Sequence, residues 1–147
     1  MANIVAGRQT VVGRDAMVVV LIGARINRPW LLPLALPILS RMRAMQQELL
    51  ADPDSGLLGI QSLGVGGDVQ YWRSLDHLLR YAEDKDRQHA PTVRRFFQRI
   101  FKNRAVGVWH EIFVVPAGHY EGLYLNMPRQ GLGKFGHLEP AVGSLKT

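Results

Sequence analysis

The chain has 147 residues, contains no cysteine and carries a formal net charge of +6 at pH 7. This length suits one domain with a real core, and a hydrophobic content of 47% argues against global disorder. The lack of cysteine excludes disulfides, zinc–thiolate sites and cysteine nucleophiles. The positive charge fits nucleic acid, acidic lipid or anionic small molecules as partners, and it fits a merely basic surface equally well.

The apolar segments are too short or too interrupted to cross a membrane. Ala16–Ala24 is apolar but does not reach the length that spans a bilayer. Arg25 and Arg28 follow it, and Pro33 and Pro37 break the next apolar run. No small-residue cleavage pattern follows the first apolar run, so we expect no secretory signal and a cytoplasmic protein.

The first third of the chain predicts an arm, a buried strand and a helix. Residues 1–15 are mixed in character and end in a Gly-Arg-Asp breaker, which indicates an arm that is partly ordered at best. Met17–Gly23 is a continuous β-branched run, typical of a strand buried on both faces. Pro37 suits the first position of a helix, which the turn residues of Asp52–Gly56 should end.

The middle of the chain predicts a hairpin and two helices. Leu57–Leu63 and Val69–Arg73 indicate strands joined by a glycine-rich turn. Ser74 is a good N-cap for the helix that follows. A second helix should begin near Pro91, because apolar residues recur after it at helical spacing.

Val106–Met127 is the stretch around which the fold should be organised. It predicts two strands folded back on one another about a Pro-Ala-Gly turn. Alternation along the first strand puts His110 on one face, and Trp109 and Glu111 on the other. Both faces are largely apolar, so both should be covered, one of them most simply by a second copy of the chain.

The element order is therefore β-α-β-β-α-β with an extra strand at the C-terminal end. This order predicts an α+β protein of the ferredoxin-like type, with helices on one face of the sheet. We expect three parts: the arm at residues 1–15, the ferredoxin-like domain at 16–128 and an irregular tail at 129–147.

Several short motifs resemble a monooxygenase-like family that includes the polyketide monooxygenase of the fumagillin pathway. They are Trp109-His110-Glu111, the turn Pro116-Ala117-Gly118, Tyr120–Tyr124, Asn126-Met127-Pro128, Gln70–Ser74 and Ala51–Gly59. The resemblance covers roughly residues 17–133. It implies a homodimeric α/β barrel, in which each protomer holds its site between the sheet and the helices.

A looser similarity concerns the order Trp72-Arg73-Ser74, a helix, then Gln88-His89. It is similar to the W-x-S…H arrangement of antibiotic-biosynthesis-type monooxygenases. That similarity implies haem as a cofactor, with His89 as the ligand of its iron. Pro91 departs from the pattern, because it places His89 at a helix start, where a capping or surface histidine is the alternative.

Each remaining candidate has a catalytic and a structural interpretation. His110 is a general acid or base, or a core histidine satisfied by a hydrogen bond. Tyr124 orients a substrate or bound oxygen, or stabilises its strand through aromatic pairing. Glu111 is a catalytic candidate, although pairing with an arginine is the simpler role for a buried carboxylate. Arg73 suits a haem propionate or a substrate carboxylate.

Three large aromatic residues are candidates for the walls of a substrate pocket: Trp72, Trp109 and Phe97. Plain core packing is the alternative for each of them. The basic residues of the second predicted helix lack interleaved aromatics, so we expect a solvated surface there and no nucleic-acid partner.

The residues themselves predict an apolar small-molecule site with a few polar side chains. The resemblance implies that the protein is a monooxygenase acting on an apolar organic small molecule, either with haem or without a cofactor. Two alternatives stay open. One is a non-catalytic dimer that binds haem or a hydrophobic ligand. The other is a haem-dependent lyase of the aldoxime dehydratase type.

Overall fold

The computed structural model describes residues 2–12, 15–83 and 91–142. Within these ranges the strands are β1 (Ile4–Val12), β2 (Met17–Ile26), β3 (Leu57–Ser62), β4 (Gly67–Trp72), β5 (Val106–Val115), β6 (Leu123–Pro128) and β7 (His137–Pro140). The α-helices are α1 (Leu32–Ala51), α2 (Leu75–Glu83) and α3 (Pro91–Lys102). Short 3-10 turns cover Pro29–Leu31, Pro53–Ser55 and Gly131–Lys134. In the described part of the chain, no helix is long and apolar enough to cross a membrane.

The larger sheet has the strand order β3-β4-β2-β5, and every neighbouring pair is antiparallel. This order, with α1 following β2 and the later helices following β4, is that of a ferredoxin-like fold, as predicted. The β-branched run of β2 lies in the interior of the sheet, paired along its length with both β4 and β5. The predicted hairpin of β3 and β4 is also confirmed, and its turn is closed by a hydrogen bond from Leu63 N to Gly67 O at 2.9 Å.

The helices cover one face of this sheet, which we call the helix face; the opposite face is the open face. A first core cluster joins the central strands to α1 and α2, through Val18, Val20, Leu49, Leu57, Trp72 and Leu78. A second cluster joins α1, α3 and the start of β5, through Ala35, Ile100, Ala105 and Val106. Side chains on the helix face of β2 therefore pack in both clusters, whereas β4 contributes Trp72 to the first cluster.

A second sheet has the order β6-β1-β7, with β1 in its centre. Residues 4–12 and 137–140, which the sequence assigns to an arm and an irregular tail, thus contain strands. β1 and β7 pair although they lie at opposite ends of the chain. Phe135 packs its ring on Tyr71 of the larger sheet with 5.2 Å between centroids, which ties the C-terminal segment to the open face.

The predicted ribbon of two strands is wrong in its pairing. β5 pairs with β2 in the larger sheet, whereas β6 pairs with β1 in the second sheet. The turn after Pro116 does form, since His119 N donates to Pro116 O at 3.1 Å. It is followed by further residues that carry the chain across to the other sheet, so the two strands diverge.

The first helix starts earlier than the sequence predicts. α1 begins at Leu32 and holds Pro37 within it, although Pro37 was the expected first residue. Proline removes one backbone hydrogen bond from a helix, yet packing compensates here. Ala35 is only 1% exposed and belongs to the second core cluster, so burial extends the helix by one turn before Pro37.

Candidate functional site

A cavity of about 940 Å³ lies between α1 and the helix face of the larger sheet. Its lining comes from α1, β2, the start of β5 and the turn between β3 and β4. The lining residues that carry the argument are Ile22, Ala24, Ala35, Met42, Gln46, Asp68, Val106 and Val108. This volume lies in the upper part of the range for small-molecule sites, which bury most of the ligand.

The apolar walls follow from the two periodicities of the sequence. Ala35, Leu39 and Met42 recur at spacings of four and three along α1, so they share the face that looks at the sheet. Ile22 and Ala24 alternate along β2 and share the helix face. Ala35 is a small residue in this stripe, and small side chains at a helix–sheet contact leave space for a ligand.

One end of the cavity is polar. Gln46 continues the sheet-facing stripe of α1, and its Nε2 donates to Asp68 Oδ2 at 2.9 Å. Both side chains are half-buried, and both line the cavity. Arg43 lies one helical turn before Gln46 and is exposed. The cavity therefore has an amide and a carboxylate at one end and mainly apolar walls, which Arg25, Ser40, Arg43 and Ser62 interrupt.

The sequence analysis missed Gln46 and Asp68. A signal was present, because Gln46 stands four residues after Met42 and three before Leu49, in the middle of an apolar helical stripe. Asp68 likewise occupies a position of β4 that shares the helix face with Trp72. The polar residue in the apolar stripe of α1 marks a place where burial needs a polar partner, which Asp68 supplies.

The family described as monooxygenase af470-like matches residues 17–132. The chain belongs to this family. The match confirms the resemblance that the Trp-His-Glu triplet and the neighbouring motifs indicate, and it covers the larger sheet, the described helices α1, α2 and α3, and β6.

The fold is also similar to that of solved aldoxime dehydratases. A crystal structure of aldoxime dehydratase in complex with butyraldoxime has a TM-score of 0.57 and 22% identity, covering 91% of this chain and 42% of that one. A second aldoxime dehydratase structure has a TM-score of 0.51 and 22% identity, covering 91% and 44%. The chain thus spans less than half the length of these proteins, and the likeness concerns the fold. The comparison with curated proteins found no match.

In this member of the monooxygenase af470-like family, His110 lies at the edge of the cavity and does not line it. His110 is on the helix face of β5, opposite Ile22 of β2 and two residues after Val108. It is exposed, and so is Glu111 on the open face. The prediction that the two point to opposite faces agrees with the strand register, so they do not form one acid–base pair.

The two tryptophans predicted as pocket walls, Trp72 and Trp109, occupy different environments. Trp72 is 0% exposed in the first core cluster, and its Nε1 donates to Gln70 Oε1 at 3.0 Å. Trp109 lies on the open face, where a Cβ added to Gly23 would come within 2.5 Å of its Nε1. Neither lines the cavity. Arg73 is exposed just after β4, and its backbone N donates to Gly56 O at 2.8 Å.

Tyr124 belongs to a cluster that joins the two sheets. Its hydroxyl accepts a hydrogen bond from Gly133 N at 3.2 Å. Burial, and secondly the neighbouring Tyr124, raise the pKa of Tyr71 above its ordinary value of 10.0. Gly131 N donates to Gln61 Oε1 at 2.9 Å in the same cluster. These bonds hold the turn after β6 against the larger sheet, on the side away from the cavity.

The described residues do not form a haem or metal site. Among them, no three histidine, aspartate or glutamate side chains cluster in a way that would hold a metal ion. The cavity lining contains no histidine. His89, the predicted iron ligand, lies outside the described residues, and so does the side chain of Phe97. No chemical step through haem follows from this geometry.

Proposed function

We propose that this protein is an oxidoreductase that oxygenates an apolar organic small molecule bound in the cavity between α1 and the sheet. The cavity itself carries the proposal, because it is large and mainly apolar, with a small number of polar side chains in its lining. Membership of the monooxygenase af470-like family supports the reaction class. His110, at the cavity edge, is the residue we propose as general acid or base.

Two substitutions on one strand test whether ligands enter this cavity. Val108 lines the cavity and is 44% exposed, whereas Val114 lies on the same face of β5, is 63% exposed and is not part of the lining. Val108→Trp should fill the cavity, and Val114→Trp is its matched control. N-phenyl-1-naphthylamine, a neutral fluorescent probe, should bind the wild type and the control alike and bind Val108→Trp at least tenfold more weakly. Equal probe binding by both variants would remove the cavity as the site.

Turnover is then measured under oxygen-18 gas with electron-rich aromatic compounds that carry an oxidisable CH2 group, such as anthrone. One oxygen atom converts the CH2 to a carbonyl, and the two hydrogens that the CH2 loses reduce the other oxygen atom to water. Mass spectrometry should detect a product with one labelled oxygen atom, and Val108→Trp should abolish it. His110→Ala should lose turnover while keeping probe binding. Probe binding by the wild type with no turnover of any compound would contradict the enzyme proposal.

A non-catalytic ligand-binding protein is the second candidate. The observation that favours it is that His110, Glu111, Tyr124 and Arg73 are all outside the cavity lining. In that case His110→Ala changes nothing that can be measured except stability. The oxygen-18 experiment separates the two candidates.

A haem-dependent form of either candidate rests on His89 alone. Titration with hemin tests it, with His89→Ala as the variant and His137→Ala as the control. His137 is on β7, and its side chain is 76% exposed. A Soret band at one haem per chain that disappears only in His89→Ala would support haem ligation. Equal spectra for all three proteins would refute it.

Lyase activity on an aldoxime is a variant of the haem form. Its support is the similarity in fold to an aldoxime dehydratase solved with butyraldoxime. Incubation of the hemin-loaded protein with butyraldoxime, followed by gas chromatography, would detect the corresponding nitrile. No nitrile above the level of hemin alone would end this proposal.

We also propose that two copies associate through the open face. Leu21, Trp109 and Phe113 share this face, and the two aromatic residues are about half exposed. An apolar patch of this kind usually marks an interface. The matched aldoxime dehydratases are more than twice as long as the segment they share with this chain, which leaves room for a second unit of similar size.

Light scattering tests the dimer. Phe113→Asp places a charge on the open face at a position 48% exposed in the single chain, so folding should survive and association should not. Val65→Asp, in the exposed turn between β3 and β4, is the control. A wild type that is monomeric at micromolar concentration would contradict the proposal.

A further inference from the structure

We infer that the Asp68 carboxylate, held by Gln46, is the anchor for a hydroxyl group of the ligand, so that the cavity selects apolar molecules with one hydrogen-bond donor at an end. This inference rests on the cavity being the substrate site of the proposed function. The inference adds the chemical class of the substrate and the orientation of the substrate within the cavity.

The first argument is the cost of placing these groups where they are. Gln46 belongs to a stripe of α1 that otherwise packs as hydrocarbon, and a buried polar group without a partner is costly. Gln46 Nε2 donates to only one carboxylate oxygen, Asp68 Oδ2. Among the described residues, no group donates a hydrogen bond to the other carboxylate oxygen, Asp68 Oδ1. A carboxylate has about four acceptor positions, so this group has capacity for a ligand donor.

The second argument is orientation. The amide of Gln46 fixes the carboxylate from α1, while β4 fixes it from the sheet, so the acceptor is positioned before a ligand arrives. Pre-positioning of this kind lowers the ordering cost of binding. The opposite end of the cavity is formed by Ala35 and Val106, both almost fully buried. A ligand therefore places its hydroxyl at Asp68 and its hydrocarbon against Ala35.

The competing anchors are Arg43 and Arg25, which also line the cavity and would favour a ligand carboxylate. Arg25 is exposed, as Arg43 is. Arg43 is exposed, with solvent to screen its charge, whereas Asp68 and Gln46 are half-buried. Hydrogen bonds to a charged group strengthen as water is excluded, which favours the carboxylate acceptor over the exposed guanidinium. A donor-bearing ligand is thus favoured over an anionic one.

Three probes with one ring system separate these chemistries: 2-naphthol, which donates, 2-methoxynaphthalene, which only accepts, and 2-naphthoate, which is anionic. Calorimetric titration of the full-length wild type at pH 7 should show 2-naphthol binding about tenfold more tightly than 2-methoxynaphthalene, the scale of one hydrogen bond to a charged acceptor. Asp68→Asn keeps the shape and replaces part of the acceptor with a donor, so the preference should vanish. Glu48→Gln, an equal loss of charge on the exposed side of α1, should leave the preference unchanged.

Each other outcome overturns the inference in a distinct way. Equal binding of 2-naphthol and 2-methoxynaphthalene by the wild type would refute the anchor and leave the cavity as the site. Binding of neither neutral probe would refute the anchor and the proposed site together. If 2-naphthoate binds most tightly and Arg43→Gln removes that binding, the ligand group that the cavity recognises would be a carboxylate and not a hydroxyl. If Asp68→Asn does not fold, Gln46→Met should still reduce the preference, because the carboxylate loses the group that orients it.

Discussion

Trp72 offers the clearest test of whether a residue predicted as a pocket wall is instead core. It is fully buried, and its indole nitrogen donates to Gln70 Oε1 at 3.0 Å. Trp72→Phe keeps an aromatic ring but removes the donor, which leaves the buried Gln70 oxygen without its partner at a cost of about 1–3 kcal/mol. The smaller ring also leaves space that neighbouring side chains fill only in part. Together the expected loss is about 2–4 kcal/mol, against about 3–5 kcal/mol for complete truncation to alanine.

The pairing with Gln70 supplies an internal check. In the double variant Trp72→Phe/Gln70→Leu both hydrogen-bonding groups are replaced by apolar ones, so about 1–2 kcal/mol of the loss should return. Urea unfolding followed by circular dichroism, at one fixed protein concentration, measures these differences. Trp30→Phe is the control, since Trp30 is 73% exposed and its replacement should cost little stability.

The same variants decide between core and pocket. Because Trp72 does not line the cavity, folded Trp72→Phe should bind N-phenyl-1-naphthylamine as tightly as the wild type. A stability loss below about 0.5 kcal/mol, the ordinary range for surface changes, would refute the core assignment. Weaker probe binding by Trp72→Phe at unchanged stability would also refute the core assignment.

Three further predictions concern the contacts between the larger sheet and the C-terminal segment, and the N-cap of α2. The pKa of Tyr71 is raised in the folded state, so the unfolded state ionises first and stability should fall as pH rises above 10; urea unfolding between pH 9 and 11 should show a smaller fall for Tyr71→Phe. A Cβ at Gly59 would lie 2.7 Å from Phe135 Cδ1, so Gly59→Ala should lose about 1–3 kcal/mol and regain part of it with Phe135→Leu, and an unchanged midpoint would contradict this contact. Ser74 Oγ accepts from His77 N at 3.2 Å, so Ser74→Ala should cost about 0.5–2 kcal/mol in thermal or urea unfolding, whereas no loss would mean that the cap is dispensable.

The sequence predicts the larger sheet well because its signals are local. The β-branched run of β2, the glycine-rich turn of the hairpin and the Ser74 cap each depend on residues that are near neighbours in the chain. Helical spacing likewise identifies the buried stripe of α1. Such patterns determine which faces are apolar, and apolar faces determine the layers of a ferredoxin-like fold.

The parts that the sequence could not predict depend on distant pairing. The sequences of β5 and β6 predict a hairpin because a Pro-Ala-Gly turn separates two strand-like runs. In the structure β5 pairs with β2 and β6 pairs with β1. β1 contains Gly7 and Arg8 within its span, which hides its strand character. The pairing of Gln46 with Asp68 could not be predicted for the same reason, because one residue is on α1 and the other on β4, although Gln46 by itself interrupts an apolar stripe.

The position of β1 has a practical consequence for anyone who shortens the chain. The family match begins at residue 17, which invites a fragment trimmed to that boundary. Such a fragment would lack the strand that β6 and β7 both use as their partner, and two segments would present unsatisfied edges to other molecules. The N-terminal residues therefore supply the central strand of a sheet whose other two strands come from the C-terminal part of the chain. Aggregation of the trimmed protein would then report the missing strand rather than an unstable ferredoxin-like core.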